Sequence, residues 1–255
     1  MTHLLRPLKS VVMPSLLAIE CSANVNAVVY LPDIENPRAT FDEISFDGAK
    51  ASAWLLPAID RVLTQASASK TDVNIVAFGA GPGSFTGVRS ACATAQALAY
   101  SWQATLISVD CLEALAEASG LAQVDVLLDA RMNELYTASF GRNAQGELTR
   151  LSETLLISTA NFSAQNGATL LGSGAALVSP PGSLAARPSA EATQLAEDRW
   201  AQGVARVAAA KYARREFTDP QCAEPIYVRN NVAQTEAQRA LRTGALSPLS
   251  PLSPP

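Results

Sequence analysis

Asn74-Ile75-Val76-Ala77-Phe78-Gly79-Ala80-Gly81-Pro82-Gly83-Ser84-Phe85-Thr86-Gly87-Val88-Arg89, continued by Ser90 to Trp102, is the stretch on which the fold turns. It opens as a short apolar, β-branched run, the pattern of a buried strand. Gly79-Ala80-Gly81-Pro82-Gly83 reads as a turn, because glycine takes positive φ without a steric penalty. Ser84 or Thr86 can then cap a helix by accepting a bond from a first-turn N–H. That helix carries Ala91, Cys92, Ala93, Ala95, Ala97 and Ala99. Small side chains on several faces let another helix approach closely.

Two readings compete for this strand–turn–helix unit. One is an anion cradle at a helix N-terminus, where free N–H groups and the macrodipole favour phosphate. The other is a tight turn that sets up a helix for packing. The loop lacks the Lys-Ser/Thr ending of a P-loop and the spacing of a dinucleotide fingerprint. Arg89 is its nearest cation.

The chain has 255 residues, enough for one large domain or two small ones, and carries a net charge of −4. Domains that hold nucleic acid alone are usually basic, so a role in RNA chemistry would have to run through a partner. Cys21, Cys92, Cys111 and Cys222 have no metal-like spacing, and the single histidine is His3. Zinc and histidine-based catalysis are therefore not expected, and free thiols suit a reducing cytoplasm. No apolar run is long enough to span a membrane. Arg6 and Lys9 ahead of Val11–Ile19 mimic a signal peptide, but Pro14 interrupts the run, and Leu16–Ile19 are needed as a strand. Residues 1–13 are expected to be a disordered extension, with Met13 an alternative start.

Residues 15–20 and Asn26–Leu31 read as a hairpin around Cys21-Ser22-Ala23-Asn24. Asn36-Pro37-Arg38 is a turn, Thr40–Phe46 a third strand, and Ala49–Ser67 a helix with Leu55 and Ile59 on its apolar stripe. Thr105–Val109 is a strand, and Asp110 caps a helix near Leu112–Ala118. Val124–Leu128 and Leu135–Phe140 flank a polar turn where Asp129, Arg131 and Glu134 crowd together. This turn reads either as a salt-bridged hairpin or as a cluster facing a cleft. Gly141–Gly146 reads as a loop. Leu170-Leu171-Gly172-Ser173-Gly174 is a strand with a Gly-x-Gly turn, and 179–189 a surface loop. Thr193–Phe217 reads as one helix, with Lys211, Arg214 and Arg215 complementing its C-terminal dipole. The proline- and serine-rich residues 234–255 are expected to be a disordered tail.

Gly81-Pro82-Gly83-Ser84-Phe85-Thr86-Gly87-Val88-Arg89 resembles the signature of the bacterial TsaB (YeaZ) family. Three further stretches resemble the family in the same order: Asp129-Ala130-Arg131 with Glu134 and Tyr136, Leu170–Ala175, and Pro225-x-Tyr227-x-Arg229. Leu55-Leu56-Pro57 with Ile59 also fits. The resemblance spans about residues 15–235. It implies an α/β, actin-like (ASKHA) fold of two lobes, each on a ribonuclease-H-like sheet. The lobes would be 14–110 and 111–233, with helix 193–217 a candidate to pack back on the first. It implies a non-catalytic subunit for the threonylcarbamoylation of adenosine 37 of tRNA, homodimeric alone and paired with the catalytic paralogue TsaD and the ATPase TsaE. tRNA would be reached only through that complex.

The resemblance places the partner interface around Leu55, Ile59, Gly81, Pro82, Gly83, Ser84, Phe85, Thr86, Gly87, Arg89 and Ala95. Glu20, Ser22, Asp129, Arg131, Gly172 and Gly174 are candidates for a vestigial nucleotide cleft. Relatives mostly have Asp where this chain has Glu20, and a glycine-free first turn makes a poor phosphate cradle, so ATP binding is expected to be weak or absent. Glu20 reads either as a solvated strand end or as a ligand group. Many relatives carry a histidine near Gly48–Lys50, absent here. Arg229 would tether the terminal segment or contact a partner. The alternative function is an autonomous ATP-dependent kinase or hydrolase, the class behind older glycoprotease naming.

Overall fold

The computed structural model describes residues 13–23, 25–36, 40–46, 50–178 and 189–229. The expected N-terminal extension and C-terminal tail, the Pro37 turn and nearly all of the 179–189 loop lie outside them. Leu16–Glu20 (β1), Asn26–Leu31 (β2), Phe41–Ser45 (β3), Ile75–Gly81 (β4) and Thr105–Asp110 (β5) form one sheet in the order β3-β2-β1-β4-β5. The first three strands are antiparallel, and β4 and β5 add to β1 in parallel.

Both faces of this sheet are covered, which is why β1 and β4 read as continuous apolar runs. On one side Leu17 and Ile19 pack with Ala51–Gln65 (α1) and Phe85–Trp102 (α2). On the other, Leu16 and Ala18 join a larger core with Cys111–Ser119 (α3) and Trp200–Ala213 (α5). Asp110 caps α3 as its sequence predicts, accepting from the N–H groups of Leu112 and Glu113.

The second sheet comprises Gln123–Arg131 (β6), Glu134–Arg142 (β7), Leu148–Arg150 (β8), Leu155–Ser158 (β9) and Thr169–Leu171 (β10). Its order is β10-β6-β7-β8, with β9 sharing the outer edge of β7. Val124, Val126, Leu128, Ala138 and Phe140 turn toward α3 and α5, so these helices lie between the two sheets. Leu127, Leu135 and Leu170 alternate to the opposite face, over a smaller cluster with Ala175.

Three expectations are corrected. Gly79-Ala80-Gly81 is not a turn but the end of β4, where the register against β5 shifts. Gly141 and Arg142 still pair with β8 and belong to β7, so the loop begins later. The helix expected over 193–217 is two, Ala190–Glu197 (α4) and α5, broken at Asp198-Arg199. The break lets Trp200 sink fully into the core, where its indole N–H donates to Cys111 O at 3.0 Å. Of the basic residues expected to complement the helix dipole, Lys211 lies in the last turn of α5 and donates to Ser108 O, while Arg214 pairs with Glu216 at 2.6 Å.

Candidate functional site: the glycine loop and the interlobe cleft

The loop after β4 is shaped by what its glycines touch. A Cβ on Gly83 would stand 2.3 Å from Ser22 O, and one on Gly87 would stand 1.7 Å from Cys21 O. The N–H of Ser84 donates to Ser22 O. The loop therefore clasps the β1–β2 turn with its own backbone. Ser84 caps α2 by accepting from Gly87 N–H at 3.4 Å. The Ser84 N–H, at the start of α2 where free N–H groups would favour an anion, is thus directed at the protein's own backbone.

Glu20 is not a solvated strand end. It is fully buried below the clasp, with Oε1 accepting from Ser22 N–H and Oε2 making no hydrogen bond among the described residues. Gly79 leaves it room, since a Cβ there would lie 2.1 Å from Oε2. Burial pushes the carboxyl above its usual range, against the lowering influence of Ser22 and Cys111. The folded protein thus holds this proton more tightly than the unfolded chain does. The associated stability is complete below the ordinary value of 4.5 and is lost as pH rises toward the raised folded value. Glu20→Gln is expected to flatten the decline expected of wild type over that window; urea unfolding of both at a series of pH values checks this, and parallel profiles would refute it. Cys21 and Cys111 are likewise buried, and desolvation raises both thiols well above the reactive range.

Between the sheets lies a cavity of about 620 Å³. Its walls include Ser22, Gly83 and Ser84 from the first lobe, Asp129 to Met132 and Ser173 from the second, and Ile226 to Arg229 from the C-terminal segment. Of the nucleotide-cleft candidates, Ser22, Asp129 and Arg131 reach it. Gly172 and Gly174 are buried behind it, and a Cβ on either would meet a neighbour at 2.5 Å. Asp129 is engaged by Arg131 at 3.1 Å, and its N–H donates to Ser173 Oγ. Glu197, raised by burial and then by Asp198, adds a further acid to the wall. The described residues contain no cluster able to hold a metal ion, and no helix among them is long and apolar enough to cross a membrane.

The interface candidates divide sharply. Ser84, Phe85, Thr86 and Arg89 are exposed, and Gly83 is half-buried. Leu55, Ile59, Gly81, Pro82, Gly87 and Ala95 are buried within the chain itself. Ala95 is 0 % exposed against the first sheet, which corrects its assignment to a partner. The surface that α1 and α2 leave to solvent carries instead Ala93 and Ala97, two of the small residues noted in the sequence, with Ala53, Leu56 and Tyr100, which sequence reasoning missed. Leu56 is 57 % exposed and Tyr100 74 %. Their signal was phase: Leu56 lies between the buried 55/59/62 positions and points the other way. Beside this face, Arg89 stacks on Phe85 with its Cζ 3.4 Å from the ring centroid and donates from Nε to Tyr227 Oη.

Two sheets of this topology around shared helices, with a cleft between them, define an actin-like (ASKHA) α/β protein. The model of the family TsaD, tRNA N6-adenosine threonylcarbamoyltransferase, matches residues 48–176, half of the chain. The chain belongs to that family, in its TsaB (YeaZ) branch. It is similar to the tRNA threonylcarbamoyladenosine biosynthesis protein TsaB of Escherichia coli, 40% identical over 96 residues. It is also similar to TsaB of Haemophilus influenzae, 41% identical over 86 residues. These matches cover 36% and 32% of this chain and only 42% and 36% of the relatives, so the chain aligns with less than half of their length. The solved structure of YeaZ from Pseudomonas aeruginosa superposes with a TM-score of 0.70 at 27% identity, covering 84% of this chain and all of that one.

Proposed function

We propose that this chain is a non-catalytic, cytoplasmic subunit in the formation of N6-threonylcarbamoyladenosine in tRNA. It pairs through α1 and α2 with the catalytic paralogue TsaD, works with the ATPase TsaE, forms a homodimer when alone, and reaches tRNA only through the complex. The observation that carries this is the clasp: Gly83 and Gly87 pack against the β1–β2 turn and the Ser84 N–H is spent on it, while the helices beside it present small and apolar residues to solvent. Ala93 and Ala97 allow a helix to approach closely, and Leu56 and Tyr100 supply apolar area to bury. The net charge of −4 supports contact with tRNA through a partner rather than directly.

The second reading, an ATP-dependent enzyme in its own right, is favoured by the size of the cleft, which falls within the range of small-molecule sites. Calorimetry separates the two. Titration with the catalytic paralogue is expected to give a complex with Kd in the micromolar range or tighter, while Mg-ATP titrated into the chain alone gives no saturable heat. Micromolar ATP binding with turnover would overturn the proposal.

A further inference from the structure

The C-terminal segment beyond α5 crosses from the first lobe to the second. Cys92 Sγ contacts Ala223 O, and Ile226 N–H donates to Ala80 O at 2.8 Å. Tyr227 Oη takes the bond from Arg89 on α2. Across the cleft, Arg229 Nη2 lies 2.6 Å from Glu134 and donates to Ala130 O at 3.0 Å, while Nη1 reaches Met132 Sδ at 3.4 Å.

The turn gripped by Arg229 is strained. Arg131, Met132 and Asn133 sit consecutively at φ of 65°, 58° and 59°. Asn tolerates this left-handed region, but arginine and methionine rarely enter it, and three such residues in succession need outside support. Arg229 touches the residue before the strained triplet, its middle member and the residue after it. The same turn supplies Asp129 to Met132 to the cleft wall.

We propose that Ala223–Arg229 is a latch. Arg229 holds the β6–β7 turn in its strained form, and Tyr227 couples that state to the exposed N-terminal end of α2. With the latch engaged, the cleft wall keeps its observed shape. With it released, the turn relaxes and the wall moves. A ligand or partner that displaces Tyr227 from Arg89 thereby alters the cleft, and the effect is reciprocal. This goes beyond the pairing role proposed above and can be tested on the chain alone.

The test is residue-resolved amide hydrogen exchange on the full chain. Three amides report: Arg131, bonded to Asp129 Oδ1; Thr159, bonded to Asn133 O; and Ile226, bonded to Ala80 O. Arg229→Met keeps the apolar stem and removes every donor. It is expected to speed exchange at all three at least tenfold, with the amides of β1 and β4 unchanged. Adding Met132→Gly supplies a residue at ease in the left-handed region. Arg131 and Thr159 are then expected to recover protection while Ile226 stays fast. Wild-type exchange at Arg131 and Thr159 in Arg229→Met would overturn the latch, as would failure of Met132→Gly to restore them. Should Arg229→Met not fold, Glu134→Gln is expected to shift the same amides in the same direction, and wild-type rates there would equally overturn it.

Discussion

Gly87→Ala is expected to destabilise the protein by about 3 kcal/mol or more, enough to leave little folded chain at physiological temperature. The added Cβ would stand 1.7 Å from Cys21 O, a backbone atom of the β1–β2 turn with no side-chain freedom to yield. Relief requires either α2 to lift from the first sheet or β1 to leave it, and both movements open the core around Ile19, Phe78 and Ala91. A glycine kept only to admit a phosphate would behave differently: its replacement would cost ligand affinity and leave the apo protein as stable as before. Urea unfolding of Gly87→Ala beside Thr86→Ala, an exposed neighbour expected to change stability by about 0.5 kcal/mol or less, separates the two roles.

Ala97→Trp is expected to leave the folded chain intact and to weaken pairing with the catalytic paralogue about 100-fold. Ala97 is exposed on the outer stripe of α2, with Ala93 one turn before it and Tyr100 close after. An indole there meets only solvent in the isolated chain. In a close helix–helix contact it forces the backbones apart, and overpacking of this kind costs up to about 3 kcal/mol. Ala95→Trp is its opposite, because Ala95 is fully buried against the first sheet and the substitution should prevent folding. Matched calorimetric titrations and unfolding curves for the two variants read the difference. Full-strength pairing by Ala97→Trp would move the interface elsewhere.

Much of the fold was legible because the first sheet is buried on both faces. Runs such as Leu16–Ile19 and Ile75–Phe78 admit no solvent-facing alternation, and the Asp110 cap announces α3. The break between α4 and α5 was not legible. Residues 193–217 are alanine-rich and periodic throughout, and what interrupts them is the tertiary demand to bury Trp200 against Cys111. The burial of Glu20 was hidden for a similar reason: a carboxylate at a strand end reads as solvated until the glycine loop closes over it. In the candidate site, residue types pointed to a segment but did not separate its exposed face from its buried one. A helix lined with alanine on all sides does not reveal from composition which alanines meet its own sheet. The turn between β6 and β7 was legible, but its left-handed triplet Arg131-Met132-Asn133 contains no glycine, and nothing in the residue types announced that conformation.

The central claim is that this chain contributes a helical surface to threonylcarbamoyl transfer and no chemistry in its cleft. The most direct measurement is the rate of N6-threonylcarbamoyladenosine formation on unmodified tRNA, reconstituted with the catalytic paralogue, the ATPase subunit and a threonylcarbamoyl donor. Wild type is compared with Ala97→Trp and with the cleft variants Asp129→Asn and Ser173→Ala. The expected result is loss of product with Ala97→Trp in step with lost pairing, and near wild-type rates for both cleft variants. Abolished product in a cleft variant that still forms the complex, or full activity of Ala97→Trp, would contradict it.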